Sequence, residues 1–158
     1  GIITNESRLN PVSDKPTTPM KKLLTLLLAA FMLPAFASEF PEGSPKFGTD
    51  FEAAKKAAAE SGKPIIVVFS AAWCPPCQSM KKNVYPSADV KPLHDKFVWA
   101  YLDVDVEANA KAAEKFGVQG IPHIQFLNSE GKDVDKLVGG TAPADFAALL
   151  TKTLAKAK

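Results

Sequence analysis

The chain has 158 residues, 23% of them charged, with 19 Lys plus Arg against 17 Asp plus Glu and a formal charge of +2. Leaving out Arg8, Lys15, Lys21 and Lys22 reduces the 19 basic residues to 15, and leaving out Glu6 and Asp14 reduces the 17 acidic residues to 15, so the chain from residue 38 onward is neutral and has no arginine. It lacks both a positive field and planar phosphate-binding groups, which disfavours nucleic-acid binding.

Residues 1–19 precede Met20, are polar, contain three prolines and show no periodicity. They read as a start-site or cloning-derived extension, or as a disordered arm. Met20-Lys21-Lys22 is a basic opening, Leu23 to Leu33 an apolar run, and Ala35-Phe36-Ala37 supplies small residues at both positions of a cleavage site. The apolar run falls short of the ~20 residues of a spanning helix. Residues 20–37 therefore read as a secretory signal peptide cut after Ala37, with an uncleaved anchor as the alternative. The mature chain then starts at Ser38 and has the length of one domain. It is long enough to build a core without disulfide staples. A monomer is expected, touching membrane only through the signal segment before cleavage. Export places it in an oxidising compartment, the periplasm if the source is Gram-negative.

Residues 38–48 form a Pro- and Gly-rich extended lead-in, and the folded domain is expected over 49–158. Thr49, with Glu52 three residues on, has the pattern of a capping box. The helix that follows buries Phe51, Ala54 and Ala58 and stops at Ser61-Gly62. Ile65 to Ser70 is apolar without alternation, as a central strand covered on both faces requires. A helix opens at Pro75-Pro76, where missing N–H groups cost little, and breaks before Pro86. Residues 87–90 read as a fresh cap and short helix running towards His94, with His94 on the surface. Residues 97–104 form a second strand, with Trp99 in the core, and 108–116 a helix ended by Gly117. His123 to Leu127 is a third strand, 128–131 a hairpin turn, and 134–138 the returning strand. Thr141 caps a last helix whose apolar stripe is Phe146, Leu149, Leu150 and Leu154. This order gives an α/β fold, a central mixed sheet with helices on both faces.

The only two cysteines, Cys74 and Cys77, stand two residues apart at the start of a helix. Unpaired N–H groups and the positive end of the macrodipole stabilise an anion there. A thiolate so placed becomes a nucleophile near neutral pH. Cys77, about one turn on, can attack a mixed disulfide formed by Cys74. Neither Pro75 nor Pro76 has an N–H to offer the sulfur, so a stabilising bond must come from Cys77 or beyond. That predicts a thiol acidified only moderately and a pair biased towards reduction of its partners. The alternative is an inert loop-closing disulfide, which would constrain so short a loop little. A metal site is not expected, because two cysteines are too few ligands and His94 and His123 have no ligand spacing.

The run Ile65-Ile66-Val67-Val68-Phe69-Ser70-Ala71-Ala72-Trp73-Cys74-Pro75-Pro76-Cys77 resembles the active-site strand, turn and helix of the thioredoxin superfamily. Phe116-Gly117-Val118-Gln119-Gly120-Ile121-Pro122 resembles the approach to that family's cis-proline. Gly131, followed by Lys136-Leu137-Val138-Gly139-Gly140, is similar to its last hairpin. Residues 62–90 also look similar to an exported thioredoxin-like group that includes the C-terminal domain of a membrane-embedded reductase. The resemblance implies a thioredoxin fold and a redox-active Cys74–Cys77 disulfide with no other cofactor. It also implies protein thiols and disulfides as substrates and a membrane electron-donor reductase as partner. Trp73 would be a substrate-facing platform, the alternative being a core residue. Pro122 would pack on the disulfide as a cis-proline, the alternative being a trans proline opening a strand. Ile121 would lend its backbone to an extended substrate.

Three departures from the family pattern stand out. His123 follows the proline where Thr is usual; it is either a titrating group near the sulfurs or a hydrogen-bonded strand residue. Val68 and Tyr101 occupy the positions of thioredoxin's buried Asp and its partner Lys. The usual proton acceptor for Cys77 is therefore absent, leaving water, the partner's leaving thiolate, or Glu130 or Asp103. The reading is an exported thiol–disulfide oxidoreductase working as a reductant. The alternatives are an oxidase or isomerase of secreted proteins, and a non-catalytic thioredoxin-fold binding module with a structural disulfide.

Overall fold

A computed structural model describes residues 39–158. The expected extension, the signal peptide and its cleavage site lie outside the described residues. The element order is β1 (Phe47–Gly48), α1 (Phe51–Ser61), β2 (Ile65–Ser70), α2 (Pro75–Ser79), β3 (Val98–Asp103), α3 (Ala110–Lys115), β4 (His123–Leu127), β5 (Asp133–Val138) and α4 (Pro143–Lys156). A π turn, Met80–Val84, continues α2, and short 3-10 helices cover Lys91–Lys96 and Glu107–Asn109.

The strands form one mixed sheet in the order β1-β3-β2-β4-β5. β2 runs parallel to β3 and antiparallel to β4, and β4 to β5 is a hairpin. Every residue of β2 is buried, as its unbroken apolar run predicts for the central strand. Alternate residues feed opposite cores. Ile66 and Val68 pack with Trp99, Tyr101, Ile124, Phe126, Met80, Val84, Phe146 and Leu150 on one face. Ile65, Val67 and Phe69 pack with Phe51, Ala54, Ala58, Ala112 and Phe116 on the other. Phe146 and Leu150 are fully buried, each side chain contributing about 1.5–3 kcal/mol by leaving water.

Several local expectations are corrected. The lead-in ends in an edge strand, Phe47–Gly48, which pairs with Trp99 and Ala100. Asp50, not Thr49, caps α1: its backbone is extended and its carboxylate accepts from the Ala53 N–H at 3.1 Å. Glu52 instead pairs with Lys55. Gly62 ends α1 at φ 72°, a left-handed conformation that favours glycine. Residues 87–90 are turns, and the short helix begins only at Lys91. His94 is half-buried, bonded to the Tyr85 carbonyl at 2.7 Å. The helix expected over 108–116 opens as a 3-10 turn. Thr141 does not cap α4: it stands one residue before the cap position, and no side chain bonds the first turn. Ala142 stands at the cap, and Pro143 at the first turn has no N–H to satisfy.

Candidate active site

The site forms where the C-terminal end of β2 meets the N-terminal end of β4. Antiparallel pairing sets Phe69 opposite His123. Two residues further on each side, Ala71 leaves the sheet as Ile121 approaches it. Cys74, Cys77 and Ala71 accordingly pack with Ile121 and Val104 in one small cluster.

Cys74 and Cys77 are joined as a disulfide, with Cα atoms 5.2 Å apart. Cys74 is the N-cap of α2, and its sulfur accepts the Cys77 N–H at 3.3 Å. That bond comes from Cys77, the first residue beyond the two prolines that can donate. The turn is held by Ala71, whose carbonyl accepts from the Cys74 N–H at 3.3 Å and from Gln78 Nε2 at 3.0 Å. Cys74 Sγ also lies 3.7 Å from the Ile121 carbonyl oxygen. A disulfide sulfur has no proton to donate, so this approach becomes a hydrogen bond only in the reduced thiol.

The Ile121–Pro122 bond is cis. Pro122 is buried, and its carbonyl accepts from the Gly139 N–H at 2.8 Å. This bond draws the loop between β5 and α4 to the site, where Gly140 passes close to Pro76. Trp73 is 67% exposed, and its indole donates to Asp105 Oδ2 at 2.8 Å. With Val104, Ala113, Val118, Gly120 and Ile121 it lines an open groove of about 220 Å³. Trp99 is buried in the core.

His123 is not gathered with these groups. It is 2% exposed, its ring meets Phe69 edge-on at 5.7 Å, and Nε2 bonds Gln125 Oε1 at 2.9 Å. Its side chain is therefore a hydrogen-bonded member of the core face and offers no surface to a partner.

Val68 and Tyr101 are register partners on β2 and β3. The Tyr101 hydroxyl shares a 2.6 Å hydrogen bond with Ser70 Oγ. Burial pushes the Tyr101 phenol up; the Ser70 bond opposes this, and the negative charges of Glu39 and Asp103 add to it. Ser70 and Tyr101 thus form a neutral hydroxyl pair, and neither Val68 nor Tyr101 supplies a carboxylate. Glu130 is excluded as a proton acceptor for Cys77. It follows the end of β4, where Leu127 pairs with Ile65, so it lies at the far end of the sheet and pairs with Lys132. Asp103 pairs in register with Ser70 at the near end, but its carboxylate accepts the Asp105 N–H at 2.8 Å. Among the described residues, no group of three His, Cys, Asp or Glu side chains is placed to hold a metal.

The sequence gives no sign of the parts that Asp105, Gln78 and Lys81 play here; Gly139 stands in the run similar to the last hairpin, but only the structure brings it to Pro122.

Comparison with known proteins places this geometry. The profile of a thioredoxin-like domain matches residues 51–154. The chain is 37% identical over 82 residues to the chloroplastic thioredoxin-like protein HCF164 of Arabidopsis thaliana, covering 52% of this chain and 31% of that protein. It is 30% identical over 103 residues to the thiol:disulfide interchange protein DsbD of Pseudoalteromonas atlantica, covering 63% of this chain and 17% of that one. The chain thus spans less than a third of these relatives. The solution structure of a thioredoxin from Thermus thermophilus superposes with a TM-score of 0.63 at 27% identity, over 69% of this chain and 87% of that one. The mixed five-stranded sheet, the disulfide at the head of α2 and the match over most of the chain together make this protein a member of the thioredoxin-like family.

Proposed function

We propose that this chain is an exported thiol–disulfide oxidoreductase that reduces protein disulfides. The observation that carries the reading is the Cys74–Cys77 disulfide, placed at a helix start and bordered by the exposed Trp73 and the groove ending at Ile121. In the reduced protein the Cys74 thiolate attacks a substrate sulfur. An S–S bond forms to Cys74, the substrate bond breaks, and one substrate thiolate leaves. The Cys77 thiolate then attacks Cys74 Sγ and expels the second substrate thiolate. Two electrons pass to the substrate, and the intramolecular disulfide is restored. A membrane reductase resupplies the electrons. The pair itself is the redox group and calls for no further cofactor.

The roles follow the surroundings. Cys74 is the nucleophile, because it alone caps the helix and accepts an N–H. Trp73 and the Ile121 backbone receive an extended substrate, and Pro122 separates that substrate from the core. His123 serves this surface only through the packing of β4. The reducing direction is supported by Pro75 and Pro76, which leave one N–H bond to the sulfur. A thiolate less stabilised in this way goes with a lower potential. Export and the periplasmic location rest on residues 20–37, which read as a signal peptide.

The test is the reduction potential of the pair in glutathione buffers. A value near −270 mV or below, roughly that of thioredoxin, is expected for a reductant. A value near about −120 mV marks an oxidant and overturns the direction. A disulfide that reduces only on unfolding overturns the enzyme.

A further inference from the structure

Lys81 is the one buried residue with a fixed charge among the described residues, at 9% exposure; its neighbour Lys82 is exposed. A lysine is seldom buried without a specific partner or task. Lys81 stands four residues after Cys77, which is itself 1% exposed. Lys81 lies in the π turn that continues α2, and four residues make close to one full turn of such a helix, so it stands on the Cys77 face. The ammonium lies 4.7 Å from the Phe40 ring centroid and 5.5 Å from that of Tyr101, and 3.3 Å from Glu39 Oε1. The Glu39 side chain is 72% exposed and that of Lys81 only 11%, so water screens the carboxylate far more than the cation.

The groups around this end of the helix are few. Glu39 comes from the lead-in, and Tyr101 and Asp103 from β3. Tyr101 is a neutral phenol bonded to Ser70, and Asp103 is engaged by the Asp105 N–H. The charged residues of α4, Asp145, Lys152 and Lys156, are exposed. His123 lies on the opposite face of the sheet with Phe69. Val68 places no carboxylate beneath the cysteines.

We propose that Lys81 is a positioning charge for the resolving cysteine, its buried ammonium favouring the thiolate form of Cys77. It acts in the mixed disulfide, when Cys77 is a free thiol. The thiol proton leaves to water or to the departing partner thiolate. The remaining sulfur lone pair forms the bond to Cys74 Sγ as the Cys74–partner bond breaks. Lys81 stays protonated throughout and supplies field where this chain has no carboxylate base. This rests on the exchange chemistry proposed above and is independent of its direction.

The experiment titrates Cys77 by thiolate ultraviolet absorbance in the full chain carrying Cys74→Ser. Adding Lys81→Met keeps the apolar stem and removes the charge. It is expected to move the titration alkaline by about one pH unit, roughly tenfold in thiolate at neutral pH. Lys81→Arg is expected to restore the original curve. Glu39→Gln, at an exposed site, is expected to move the curve towards acid, because it unmasks the cation. An unmoved or acid-shifted curve in folded Lys81→Met overturns the proposal. Should Lys81→Met fail to fold, Glu39→Gln decides alone: an unmoved or alkaline-shifted curve overturns it. The titration needs no substrate, so its failure is distinct from failure of the exchange reaction, which appears as an absence of mixed disulfides.

Discussion

The exposed indole of Trp73 is fixed by one hydrogen bond, 2.8 Å long, to the carboxylate of Asp105. The two residues are 32 positions apart and meet because β2 and β3 end side by side, with Ser70 beside Asp103. The bond sets the angle of the ring over the groove. Asp105→Ala therefore loosens a contact surface without touching the core. An exposed hydrogen bond of this kind contributes about 1 kcal/mol. The expected result is an increase of about fivefold in KM for a protein disulfide, with little change for a small aromatic disulfide and a nearly unchanged melting temperature. A KM that stays fixed for both substrates would remove Trp73 from the substrate surface.

Cys77→Ser leaves Cys74 able to attack and removes the thiol that resolves. Covalent complexes with protein partners should accumulate, visible on non-reducing gels and released by dithiothreitol. Cys74→Ser should give none. Complexes appearing instead in Cys74→Ser would exchange the roles of the two cysteines.

The Tyr85 hydroxyl is buried and has no hydrogen-bond partner among the described residues. Burial holds its phenol well above the ordinary value of 10.0, and Tyr101 adds to this. The unfolded chain releases these protons near their ordinary value while the folded chain keeps them. Stability is then fully present below about pH 10 and falls as pH rises through the raised folded values. Tyr85→Phe removes one such group and an unpaired hydroxyl. It should raise stability at pH 7 by about 1 kcal/mol and flatten the alkaline limb in urea titrations between pH 9 and 11. A destabilised variant with an unchanged alkaline limb would show that the hydroxyl has a partner.

Asp135 works in the opposite direction. The Lys136 N–H bond, then Lys156, lowers its carboxyl below the ordinary value of 3.8. A depressed folded value gives stability that is present above the unfolded value and lost as pH falls through the folded one. Lys156→Ala removes only the second cause, on a largely solvated pair. The acid-unfolding midpoint should rise by a few tenths of a pH unit at low salt, and by less in 1 M salt. An equal shift at both salt concentrations would mean that Lys156 acts through packing.

The sequence by itself determined the elements whose signals are local. The unbroken apolar run of β2, the glycine stop of α1 and the cysteines at a helix start with two prolines are each written within a few residues. A strand covered on both faces, a left-handed C-cap and a dipole end need no distant partner to be recognised. The run from Ile65 to Cys77 folds as the strand, turn and helix start that its likeness implied, because it consists of consecutive residues.

Tertiary structure decided what depends on register. Asp50 took the cap from Thr49 because the helix began one residue later. His123 was drawn inward by its place opposite Phe69, where β pairing fixes the face of every side chain. Glu130, plausible by charge, fell at the wrong end of the sheet. Cys74 meets Ile121 across 47 positions and Lys81 meets Glu39 across 42. No local pattern encodes such pairs, because they exist only once strand pairing has brought distant segments to the same end of the sheet.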